Sequence, residues 1–223
     1  MGSRMIAAVW LIGSILLLMS AVNKGRDDWH SQVIRNQMAS LSVESVETSS
    51  DKALLDGTLL DDTLEPDSFG PFIDHGSIGL YYSWIAFQSS DEATKRDFAK
   101  RSIEQLQLQL HFRPLDSAIM INKANQLWRN GEGFDDVMAE FELAQHLGPY
   151  EPLTVKESLT YYLAYWPELS SEKKNVVLSY LLDHEKYKMK LWQYDSILVK
   201  PIIGERACAI LGFNNITPYY CRG

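Results

Sequence analysis

No basic stripe runs through this sequence. Lys and Arg total 21 against 29 Asp and Glu, a formal charge of −8, and the cations fall in scattered pairs such as Lys95-Arg96, Lys100-Arg101 and Lys173-Lys174. A nucleic-acid binder neutralises phosphates with clustered cations, so the balance argues against that class, and the pairs read as solvated helix faces. Cysteine is nearly absent, with only Cys208 and Cys221. The five histidines, His30, His75, His111, His146 and His184, are dispersed. None stands at ligand spacing from a Cys or another His, so no metal site is expected. P-loop, GxSxG and HExxH patterns are all missing. Asp135-Asp136 opens a helix, where carboxylates interact favourably with the dipole. Glu140 and Glu142 face different ways and make a poor glycosidase pair, although such pairs also come from distant positions. No catalytic, cofactor-binding or metal residues are assigned, and the chain reads as a non-enzyme. Asn-Gly hairpin signals and long alternating runs are lacking too, which leaves the all-α class.

What the chain does have begins at the N-terminus. After a short tail, residues 1–4, residues 5–22 read MIAAVWLIGSILLLMSAV, uncharged and almost wholly apolar. At 1.5 Å per residue this is ~27 Å of helix, enough to cross a hydrocarbon core. The rival is a cleaved signal peptide, whose apolar core is shorter and ends in a small-x-small site. Met19-Ser20-Ala21-Val22-Asn23-Lys24 offers only a poor site, so the uncleaved transmembrane anchor is favoured. Arg4 on one side and Lys24 and Arg26 on the other leave orientation open. A Cys208–Cys221 bridge would close a loop of about 14 residues and contribute roughly 3 kcal/mol in the chain-entropy model. It would persist only in an oxidising compartment. Two unrelated thiols are the alternative.

Residues 23–69 form a juxtamembrane segment and linker. The first part suits a short helix, with Trp29 at headgroup level. Residues 41–67 carry eight acidic residues, among them Glu44, Asp61, Asp62 and Asp67, against the single Lys52. That stretch has too little apolar surface to offset its ordering entropy. The folded domain is expected over 70–223. Residues 78–88 are apolar nearly all round, which suits a buried helix, though a strand also fits. Ser89 and Glu92 stand at capping-box spacing for the next helix, which Pro114 stops. Ile121, Ala124 and Trp128 share one helical face, and Phe134, Val137, Phe141 and Ala144 another. Asn130-Gly131-Glu132-Gly133 breaks the chain between them, and Pro149 ends the pair. A third pair spans 152–166 and a helix capped by Ser170 or Ser171. One further helix over 187–199, with Leu191, Tyr194 and Leu198 on one side, and a short last one over 201–211 complete the reading.

The pair over 115–149 resembles a tetratricopeptide (TPR) repeat. Trp128 and Phe134 stand at its aromatic positions, Phe141 and Ala144 at its large and small packing positions, and Pro149 at its terminal proline. Pro114 and Pro149 lie about 35 positions apart, near the repeat's 34-residue period. Val137 stands where alanine is usual, and Gly131 and Gly133 flank the usual turn glycine. The expected architecture is a TPR-like α-solenoid of about three helix pairs plus C-terminal helices, behind a single transmembrane helix. A wider resemblance rests on the apolar anchor, Arg113-Pro114-Leu115, Glu140-Phe141, Leu147-Gly148-Pro149-Tyr150-Glu151-Pro152, Trp166 with Leu169-Ser170, and the cysteine-bearing tail. This pattern is similar to the VpsP-type polysaccharide biosynthesis proteins of bacteria. The resemblance implies a single-pass inner-membrane protein with a periplasmic helical domain that serves as scaffold or adaptor in exopolysaccharide biosynthesis and export. Its partners would be proteins of a polymerase or export complex. A general envelope chaperone or assembly factor is one alternative, and a glycan-processing enzyme with unrecognised carboxylates is another.

Tyr161, Tyr162, Tyr165 and Trp166 cluster on one expected helix. Tyr162 and Trp166 share a face and suit the core. Tyr161 and Tyr165 share another and are the candidates for an exposed surface that binds a partner or, directly, a glycan.

Overall fold

Helix is the only regular structure among the described residues, 2–43 and 73–221 of the computed structural model. The elements are α1 (Gly2–Val43), α2 (His75–Gln88), α3 (Glu92–Phe112), α4 (Ser117–Arg129), α5 (Phe134–Leu147), α6 (Pro152–Ala164), α7 (Ser171–Leu182), a single turn α8 (Asp195–Leu198) and α9 (Ile203–Phe213). The all-α class holds. The chain divides into two compact units, Met1–Phe112 and Arg113–Gly223. The division therefore falls inside the stretch 70–223 that the sequence joined into one domain. The physical reason lies in α2 and α3, which pair with each other and, through α2, with α1.

In the first unit α1 is one continuous helix through the juxtamembrane segment. Among the described residues no helix is long and apolar enough to cross a membrane. The run 5–22 begins in residues whose side chains lie outside the described set, as do the linker residues 44–67. The C-terminal half of α1 meets α2 through a polar clasp. Asp74 N–H donates to Ser31 Oγ (3.1 Å), and Arg35 Nε donates to the Asp74 carboxylate (2.8 Å), with a second bond from Arg35 Nη2 to the same oxygen. Asp74 is also the N-cap of α2, accepting from Ser77 N–H (3.0 Å) and Ser77 Oγ (2.9 Å). The segment 78–88 is helical, buried through Ile78, Tyr81, Tyr82 and Ile85.

Ser89 does not open α3. Its N–H caps the end of α2 through Ile85 O (2.9 Å), and Asp91 takes the capping role by accepting from Thr94 N–H and Thr94 Oγ1 at 2.8 and 2.6 Å. Those hydrogen bonds, first the one from the Thr94 hydroxyl, hold the Asp91 carboxyl below its ordinary range.

The second unit starts with the α4–α5 hairpin. Asp116 caps α4 by accepting from Ile119 N–H (3.1 Å). The helix ends in a Schellman turn: Gly131 N–H reaches Trp128 O and Glu132 N–H reaches Leu127 O, both 3.1 Å, with Gly131 at φ 81°. Helix α6 begins with Pro152 in its first turn, where the missing N–H costs nothing, and packs on both α4 and α5. Helix α7, capped by Ser170 (3.3 Å from Lys173 N–H), packs on α6. Lys123–Glu140 (2.6 Å) ties α4 to α5, and Lys173–Glu142 (2.7 Å) ties α7 to α5.

The single helix expected over 187–199 is broken. A 3₁₀ turn (His184–Tyr187) ends at Lys188, whose φ of 56° is left-handed, and a second (Leu191–Tyr194) leads into α8. Lys188 closes its turn with the bond pattern seen at Gly131: its own N–H to Glu185 O and Met189 N–H to His184 O, both 3.0 Å. The last helix runs over Ile203–Phe213 instead of 201–211.

Candidate functional site

The residues singled out by the TPR resemblance converge where α4, α5 and α6 meet. Phe141 and Ala144 are fully buried, while Trp128 and Phe134 are half-buried and Pro149 is exposed past the end of α5. At their centre stands Tyr161, with no exposed surface. Its ring lies 4.6 Å from that of Phe141 (stacked), 5.1 Å from Trp128 (edge-on) and 6.1 Å from Phe134 (stacked). Its hydroxyl donates to Phe134 O (3.1 Å). Burial raises the phenol's pKa, and the neighbouring Tyr165 and Tyr162 and the Asp135 charge add to the shift.

Tyr161 is therefore core, not partner surface, which corrects the expectation from the sequence. Tyr161 and Tyr165 do share a face, but that face turns onto the start of α5. Tyr165 is half-buried, 5.2 Å from Phe134 and 6.2 Å from Trp128, so the exposed aromatic patch does not exist as a pair. Tyr162 lies on the other side of α6, fully buried, with its hydroxyl accepting from Gln145 Nε2 at 2.7 Å. Trp166 is half-buried under the Lys174 ammonium, 5.6 Å from its ring centre.

Cys208 and Cys221 are joined in a disulfide, with Cα atoms 5.3 Å apart. It ties the C-terminal 3₁₀ turn to α9. That helix also satisfies the end of α6, because Arg206 Nη1 donates to Leu163 O (2.5 Å) and Ala164 O (2.8 Å). Carbonyls at a helix C-terminus lack intrahelical donors, and a guanidinium there also suits the dipole.

A groove that the sequence reading missed opens beside this core. It is an open groove of about 550 Å³ between the first turn of α6 and the broken segment before and within α8. Leu153 and Lys156 form one wall; Met189, Trp192, Asp195 and Ser196 form the other. The second 3₁₀ turn builds this wall. Gln193 Oε1 accepts from Lys190 N–H (2.6 Å) and closes the turn. Tyr194 is sent inward to donate from its hydroxyl to Tyr180 O (2.7 Å), which leaves Trp192 facing out, 66% exposed. One signal for it was in the sequence: Trp192 lies off the face shared by Leu191, Tyr194 and Leu198.

Among the described residues no group of three or more His, Cys, Asp or Glu side chains is placed to hold a metal. No protein-family model, curated protein or solved structure matches the chain.

Proposed function

We propose that the chain is a membrane-anchored, non-catalytic scaffold or adaptor that holds proteins of a bacterial exopolysaccharide biosynthesis and export machine. In this reading it is a single-pass protein of the inner membrane. Its helical hairpins form a TPR-like solenoid on the periplasmic side.

The observation that carries the reading is the surface of α1. Every large apolar side chain from 9 to 22 is exposed, from Val9 at 69% to Val22 at 63%, on all sides of the helix. Water does not tolerate a continuous apolar cylinder, whereas lipid covers one. With residues 5–8 of the sequence added, the run reaches the length a bilayer core demands. The Cys208–Cys221 bridge supports the periplasmic side, because the cytosol keeps thiols reduced. The packing of α6 on both α4 and α5 supports the repeat reading, since in a solenoid each unit leans on the one before.

The test is fractionation of the full chain with a C-terminal phosphatase reporter, followed by crosslinking in membranes. The expected outcome is resistance to alkaline extraction, reporter activity, and capture of polymerase or export proteins. A product that sheds residues before Asn23 and washes free would overturn the anchor. Capture of unrelated envelope proteins alone would turn the reading toward a general assembly factor. Depolymerisation of polysaccharide by the purified chain would overturn the scaffold reading in favour of an enzyme.

A further inference from the structure

We propose that the groove beside α6 is a binding site for a neutral saccharide chain. The proposal deepens the proposed scaffold role and rests on it for the supply of polymer; the fit itself comes from the groove's chemistry. Trp192 lines the groove with a largely exposed indole. An indole of this kind offers one apolar face and a polar edge, as the C–H face and hydroxyl rim of a sugar ring require.

Around it stand a donor-only group, the Lys156 ammonium, an acceptor-only group, the Asp195 carboxylate, and the Ser196 hydroxyl, which does both. None of these three side chains has a hydrogen bond or ion pair among the described residues. The polar edge of the groove is thus unspent. Sugar hydroxyls donate and accept, so they can satisfy all three.

The charges decide among ligand classes. Lys156 and Asp195 cancel within the groove. An anionic chain or acidic peptide meets Asp195, and a basic peptide meets Lys156. A neutral polyol meets no like charge. The volume of about 550 Å³ falls within the usual range of ligand sites.

The experiment uses the full chain in dodecylphosphocholine, which carries no sugar headgroup to compete. Cellohexaose, maltohexaose and chitohexaose are titrated separately, with a neutral Gly-Ser peptide of similar length as the competitor class, and binding is read by tryptophan fluorescence and calorimetry. At least one saccharide is expected to saturate, Trp192→Ala to weaken it roughly tenfold or more, and Asp195→Asn severalfold. Trp192→Phe keeps an aromatic platform and should retain most of the affinity. Since Trp192 is largely exposed, helicity by circular dichroism should survive each change, and Ser196→Ala gives a second, milder variant.

Absence of saturation by all three sugars up to about 10 mM, binding indifferent to Trp192→Ala, or equal binding of the peptide would each overturn the proposal. These outcomes are separable from the scaffold test. Export proteins captured by a chain that binds none of the sugars would remove the site and keep the role. Sugar binding without such capture would do the reverse.

Discussion

The hairpin of α2 and α3 and the group of α4, α5 and α6 both bury apolar side chains, but only the first adds a polar close approach of backbones. In the first, an apolar cluster of Ile78, Tyr81, Tyr82 and Ile85 on α2, with Leu106 and Leu110 on α3, is joined by a polar close approach. The Gly79 backbone lies so close to α3 that an added Cβ would sit 2.8 Å from Leu106 Cγ and 3.1 Å from Ser102 O. Ser102, Gln105 and Gln109, on one face of α3, reach Gly79 O (2.7 Å), His75 Nδ1 (2.8 Å) and Gly76 N–H (3.2 Å). In the second, the seam is made of rings around Tyr161. Directed hydrogen bonds to a close backbone fix which residue faces which, while the apolar burial beside them, including Tyr82 against the Phe98 ring at 5.7 Å, supplies the energy. Rings bury 150–250 Å² apiece and supply most of the energy, while their geometry is less exacting. Such a ring seam can accept a third helix, and here α6 enters it.

The largest test of this contrast is Phe141→Ala. Removing a fully buried ring from the aromatic junction should cost ~3–5 kcal/mol. Urea denaturation followed by circular dichroism gives the number, and hydrogen exchange should quicken across α4, α5 and α6. A loss below about 1 kcal/mol would mean that the rings are not the seam.

Next in size is reduction of Cys208–Cys221. The loop is short, with a sequence separation of 13, and opening it should remove roughly 3 kcal/mol in the chain-entropy model. The expected readout is faster exchange in α9 and the C-terminal turn under reductant, with α2 and α3 unmoved. Equal exchange with and without reductant would leave this bond no part in stabilising the second unit.

Gly79→Ala probes the other seam. Overpacking there should cost ~1–3 kcal/mol, offset by about 1 kcal/mol from the better helix propensity of alanine. The net result is a modest destabilisation, visible as a lower urea midpoint. A stabilised variant would show that Leu106 can step aside and that the close approach is not obligatory.

The same contrast explains what the sequence made legible. The α4–α5 hairpin was readable because both of its ends carry local signals, Gly131 in the turn and Pro149 past the close. The turn at Lys188 has the same hydrogen-bond pattern without a glycine, so the sequence showed one continuous helix where the chain in fact breaks. Periodicity also placed Tyr161 and Tyr165 on a common face. It could not say that this face is covered, because the cover comes from Phe134 and Trp128 on two other helices. The division at Phe112 was hidden for a related reason. Helix α3 meets α2 through Ala99, Leu106 and Leu110 and also through Ser102, Gln105 and Gln109, and this polar half is what a hydrophobic pattern does not register. The groove was the least readable feature, since its walls come from residues about 40 positions apart.

The smallest effect is expected at Asp74, where α1 joins α2, and it separates charge from capping. Burial alone would raise the pKa of this carboxyl. The bonds from Ser77 N–H, the Arg35 guanidinium and the Ser77 hydroxyl outweigh it and hold the pKa below the ordinary 3.8. A depressed carboxyl stabilises the fold above its unfolded pKa, and that contribution is lost as pH falls through the folded value. The clasp should thus be complete at neutral pH and should weaken only below about pH 4. Arg35 is 56% exposed, so solvent screening limits the ion pair to ~1 kcal/mol or less. Asp74→Asn keeps a side chain that caps helices and removes the charge. Exchange in α1 around Ser31 and Arg35 should then quicken a few-fold at neutral pH, and the difference from the native chain should shrink as pH falls through the depressed folded pKa. Asp74→Ala removes the cap as well and should add ~1 kcal/mol at every pH. If Asp74→Asn and the native chain exchange alike at neutral pH, Arg35 contributes nothing. The junction of α1 with α2 would then rest on the cap, the bond to Ser31 and the packing of the two helices.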